Sequence, residues 1–130
     1  MKPPERFPPD DPREWLNRAR SNLARAKILV PGGYLEDPCF DAQQAAEKAI
    51  KAVMIGRDID FPYIHDLARL LITLEARGEH IPHTIRQAAK PTQYAAHARY
   101  PGLEEPVSQA DYQEAIAIAE AVVRWAEERL

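Results

Sequence analysis

The placement of proline and glycine constrains this chain more than any other feature. All 12 Pro and all 5 Gly fall outside five stretches, residues 13 to 30, 39 to 55, 63 to 77, 83 to 90 and 107 to 130. Pro removes an amide donor and clashes with the preceding turn, and Gly costs about 1 kcal/mol against Ala in a helix interior. Stretches of this length without either therefore outline helices. A sixth such stretch, 92 to 100, carries Thr92 and three aromatic or His positions and is a weaker helix former. Ala is frequent while aromatics make up only 8% of the chain, which favours closely packed helices over a β-sandwich.

Helix starts are written in the chemistry of the breakers' neighbours. Asp11 stands as an N-cap, Pro12 at the first helical position and Glu14 three residues after the cap, the pattern of a capping box. Trp15, Leu16, Ala19, Leu23, Ala26 and Leu29 then mark one apolar stripe. The second helix repeats this entry with Asp37 capping and Pro38 first, and runs to Gly56. Its apolar face holds Phe40, Ala45, Ala46, Ala49, Val53 and Met54. A third, from about His65, carries Leu67, Leu70, Leu71 and Leu74 at spacings of three and four. The last begins at Ser108, with Asp111 completing a capping pattern, and turns Ala115, Ile118, Ala119, Val122, Trp125 and Ala126 inward.

Four amphipathic helices bury such stripes only against one another. The expected fold class is all-α: a four-helix bundle with one or two short extra helices between the third and last main helices. Residues 1–10, with Pro3, Pro4, Pro8 and Pro9, read as a flexible Pro-rich tail, and 11–130 as one helical domain. There is no internal repeat.

A net charge of -3, from 17 basic and 20 acidic residues, leaves no bulk positive field to hold a phosphate backbone, which argues against nonspecific nucleic-acid binding. The single cysteine, Cys39, forms no intramolecular disulfide and fits a reducing compartment. The N-terminus lacks the apolar run of a signal peptide, and no apolar stretch approaches the length of a membrane span. The expectation is a cytoplasmic protein off the membrane. No cofactor and no metal are expected, because His80 and His83, with Glu79 beside them, are not followed by further ligands at zinc-site spacing. A helix N-terminus would favour a Cys39 thiolate, but Asp37 opposes it and no His is near in sequence, so a packed thiol is expected.

Lys48 and Lys51 sit one turn apart on the second helix, and Glu47 precedes Lys51 by the favourable four residues. By themselves they describe a solvated face. Joined by Tyr94, His97, Arg99 and Tyr100 they would make a ligand site, since Arg grips phosphate bidentately and a Tyr ring stacks on a base. Pro101 and Gly102 follow directly, so these side chains crowd a turn in the way an ordinary bundle plugs its end. That plug is what the residues alone favour.

In order along the chain, Trp15 with Leu16, then FDAQQAAEKAIKAV, HDLARLL and AAHARYPG ahead of a final amphipathic helix, resemble the prokaryotic HEPN domain family of the nucleotidyltransferase-associated type. The resemblance covers residues 12 to 128. Its most specific pieces are Gln44 to Lys51, His65-Asp66-Leu67 and Ala98 to Pro101. It implies a bundle that forms a homodimer, binds nucleotides, and works with a separate minimal nucleotidyltransferase in a toxin–antitoxin-like pair. It also adds His65 to the candidate nucleotide-binding residues. Other branches of the family are metal-independent ribonucleases with an Arg and a His four to six residues apart. Arg77 and His83 meet that spacing, but random placement of twelve Arg and four His supplies on the order of one such pair. Gly78 and Pro82 interrupt it too. The expectation is an accessory module more than a self-sufficient enzyme. The alternatives are a ribonuclease toxin, or a protein-interaction scaffold joined through the Ala-rich face of the second helix or through Val123 and Leu130.

Overall fold

The Ala-rich second helix is the axis around which the rest packs. In the computed structural model, which describes residues 2–61, 66–90 and 106–130, the elements are α1 (Pro12–Ala26), α2 (Glu36–Gly56), α3 (Leu67–Ala76), a single-turn α4 (His83–Arg86) running into a 3-10 turn (Gln87–Ala89), and α5 (Gln109–Arg129). The described residues hold no strand. Ala42, Ala45, Ala46, Ala49 and Ala52 are all buried. Their small side chains let α1 and α5 run close along α2, with α3 against it as well. Ile50, Val53 and Met54 of α2, Leu67, Leu70, Leu71 and Leu74 of α3, and Val122, Val123 and Trp125 of α5 fill the core. The architecture is the expected all-α bundle, with the short α4 and its 3-10 turn between the third and last main helices. The Ala-rich face of α2 and Val123 lie in this core, so neither is a surface for a partner.

The capping residue was legible at two of the four main helices, α1 and α5. Asp11 does cap α1, accepting from the Arg13 amide at 2.9 Å. Glu14 does not complete a capping box, because the Asp11 amide is already taken by the Pro8 carbonyl. The Glu14 carboxylate accepts from the Phe7 amide at 2.9 Å. That bond and the nearby Arg18 guanidinium hold its carboxyl below the usual range. Trp15 Nε1 donates to the Pro9 carbonyl and Asn17 Nδ2 to that of Glu5, so the Pro-rich segment lies along α1.

At α2 the expected cap is corrected. The helix starts at Glu36 with Leu35 as N-cap and no side-chain cap bond. Asp37 is instead a first-turn acid favoured by the helix dipole, and Pro38 sits where an amide would have no partner in the helix. The Glu36 carboxylate accepts from the Val107 amide at 3.0 Å and ties the approach to α5 onto this end. Gly56 is the last helical residue, and the left-handed position after it belongs to Asp58, with φ 56°.

Asp66 is the N-cap of α3 and accepts from the Ala68 and Arg69 amides. That helix closes as a Schellman motif: Gly78, at φ 95°, donates to Glu75, and the Glu79 amide donates to Leu74. Ser108 and Asp111 form the expected reciprocal capping box on α5.

α1 stops four residues short of the breaker-free stretch that outlined it. Pro31 biases Val30 toward extended backbone, and Ile28 and Val30 are β-branched. The buried Tyr112 hydroxyl donates to the Ala26 carbonyl at 2.8 Å, satisfying a helix-end acceptor from across the bundle. Leu29, expected on the buried stripe, is consequently exposed.

Candidate functional site

The structure sends the two candidate lysines to different environments. Lys51 is 5% exposed and Glu47 4%, and Lys51 Nζ donates to Glu47 Oε2 at 3.0 Å. The same ammonium lies 5.2 Å from the Phe61 ring centroid and 5.8 Å from that of Trp15. Those two rings meet edge to face at 5.6 Å. The expected solvated face is therefore corrected. Four-residue spacing brought the ion pair together, but Trp15 and Phe61 cover it, and a buried cation is tolerable only with such partners. Lys51 holds α1, α2 and the Phe61 segment together and is closed to a ligand.

Lys48 faces outward into a groove of about 590 Å³ between α1 and α2. Asn22 and Arg25 line it from α1, and Phe40, Asp41 and Gln44 from α2. Lys48 Nζ donates to Asn22 Oδ1 at 2.7 Å, and Asn22 Nδ2 donates to Asp41 Oδ1 at 3.1 Å. Arg25 stands 3.7 Å from Asp41, a loose pair. Burial pulls the Lys48 ammonium below its usual pKa, helped by Arg18 and Arg25 and opposed by Glu47 and Asp41. Lys48 is thus a partly desolvated cation hydrogen-bonded to the neutral Asn22 oxygen, with the Asp41 carboxylate on the other side of that amide. Phe40, expected in the core, is half-buried and gives the groove an aromatic wall.

Asn22, at 9% exposure, is the functional candidate that sequence reasoning passed over. Its signal was a polar residue three after Ala19 and four before Ala26, on the stripe assigned to the core. Only an internal hydrogen-bond partner makes that placement tolerable, and Asp41 and Lys48 supply it.

Arg77 and His83 are held by different neighbours. Arg77 is the exposed C-cap of α3 and borders a cleft of about 220 Å³ with Arg57, Gly78 and Glu79. In that corner Glu79 accepts from Arg57 at 3.0 Å and from Arg129 at 2.9 Å. Helices α2, α3 and α5 all end nearby, and their carbonyl ends disfavour an anion. His83 Nε2 lies 2.8 Å from Gln87 Nε2 on the far side of Pro82. His80 is exposed, and among the described residues no group of His, Cys, Asp and Glu could hold a metal ion. Cys39 is fully buried, and burial, reinforced by Glu36 and Asp111, pushes its thiol up to about 12. His65, Tyr94, His97, Arg99 and Tyr100 lie outside the described residues. No helix among the described residues is long and apolar enough to cross a membrane.

Residues 12–129 match a family model described as HEPN domain. Among solved structures, TT1696 from Thermus thermophilus is similar at 29% identity with a TM-score of 0.76, over 92% of this chain and 98% of that one. An archaeal HEPN homologue, ST0689, is similar at 26% identity with a TM-score of 0.69, over 91% of this chain and 96% of that one. No curated protein matches.

Proposed function

The chain belongs to the HEPN domain family, and from that premise we propose that it is a dimeric, nucleotide-binding module. In this proposal it works with a separate minimal nucleotidyltransferase in a toxin–antitoxin-like pair. The observation that carries the ligand half is the groove around Lys48. Its volume of about 590 Å³ lies within the usual range of small-molecule sites. The types of side chain in it suit the parts of a nucleotide. Lys48 and Arg25 offer charge and donors to a phosphate, Phe40 offers a face to a base, and the Gln44 and Asn22 amides offer both donors and acceptors. Asp37 and Asp41 line the same groove, with Asp41 3.7 Å from Arg25 and joined to Lys48 through Asn22, so an anion there is drawn by the cations against the repulsion of these carboxylates.

Calorimetric titration with ATP and the other common nucleotides tests this, with Lys48→Ala as the control variant. The wild type should give a saturable signal, and Lys48→Ala should bind at least about tenfold more weakly, which is about 1.4 kcal/mol. No heat from any nucleotide removes the ligand half. A partner nucleotidyltransferase is tested separately, by co-purification of a small nucleotidyltransferase encoded beside this chain.

A further inference from the structure

We propose that the corner between α1 and α2, from Ile28 to Tyr34, is the face on which a second copy of this chain docks. This rests on the dimeric reading above and gives it a location. Ile28 is 66% exposed, Val30 70% and Tyr34 79%, with Leu29 beside them. Monomeric proteins rarely expose so continuous an apolar run, and one that is rimmed by charge marks an interaction surface. The segment is also held in shape. Gly33 donates to the Val30 carbonyl at 2.9 Å across a turn in which Pro31 precedes Gly32 at φ 79°, the pattern of a type II turn. A turn set by its own sequence presents Val30 and Tyr34 without the ordering cost that a loose loop would meet on binding.

Two properties of the corner select a copy of this chain as the occupant. First, Ile28, Leu29, Val30 and Tyr34 themselves wall a recess of about 430 Å³ together with Leu35 and Pro38. The same apolar patch on a second copy can face it across a two-fold axis, as an isologous contact requires. Second, Arg25 and Asp37 both border that recess. A two-fold contact sets Arg25 on one copy against Asp37 on the other, twice over. An acidic peptide would meet Asp37 and a basic one Arg25, each with a repulsion that the second copy avoids. Arg25, Asp37 and Asp41 also line the Lys48 groove, so the docked copy closes one end of it.

The test is the mass of the intact chain in solution, by light scattering across a concentration series. The wild type should be a dimer, and Val30→Glu with Tyr34→Glu should make it a monomer with an unchanged helical circular-dichroism spectrum, since both side chains stand in solvent. A dissociation constant raised at least about tenfold is the expected measure. Arg25→Asp and Asp37→Arg should each weaken the dimer, and the two together should restore it. A dimer untouched by Val30→Glu with Tyr34→Glu overturns this face and leaves the dimeric reading standing. A monomeric wild type overturns both and turns the corner over to a different protein.

Discussion

A lysine 5% exposed carries a charge that water no longer stabilises. Lys51 keeps it because the Glu47 carboxylate and the faces of Trp15 and Phe61 stand where water would be. Lys51→Met keeps the length of the stem and removes the charge that faces the buried Glu47 carboxylate. The expected loss is about 3–5 kcal/mol of stability, the usual result of removing one member of a buried pair. Urea denaturation measures it, and a loss under about 1 kcal/mol would show that the pair is solvated after all. The sequence made the Glu47–Lys51 pairing plain through its spacing, but not its burial. Burial depends on Trp15 and Phe61, which come from two other segments and carry no local signal toward Lys51. Lys48, three residues earlier on the same helix, has Gln44 and not an acid four residues before it, and faces an open groove.

Among the elements, starts were more legible than ends. Asp11 and Ser108 act locally on amides two and three residues on, so their caps can be read from spacing. The end of α1 is set by Tyr112, eighty-six positions away, whose hydroxyl takes the Ala26 carbonyl. The apolar period runs on through Leu29, and the local signals, Pro31 and the β-branched Ile28 and Val30, do not mark Ala26 as the last residue. Tyr112→Phe leaves the ring in place and the carbonyl without that donor. It should lower stability by about 1–3 kcal/mol, read as a shift in the denaturation midpoint. An unchanged midpoint would mean that α1 ends for reasons local to Ile28, Val30 and Pro31. The start of α2 misled for the complementary reason. Asp-Pro imitates the entry to α1, yet the helix begins two residues earlier, where Glu36 can hold Val107.

For the whole molecule, the positions of Pro and Gly sufficed for an all-α bundle, because four stripes at helical period have no other way to leave water. The candidate site was less legible. Phe40 looked like core and Asn22 was passed over, and a groove is a property of two helices and the angle between them, not of either sequence pattern. The proposed nucleotide site of this HEPN chain is the groove around Lys48. Backbone amide shifts followed by NMR during titration with ATP test it most directly. The shifts should concentrate at Asn22, Arg25, Gln44 and Lys48. Shifts centred on Arg77 and His83 instead, or none anywhere, would contradict it.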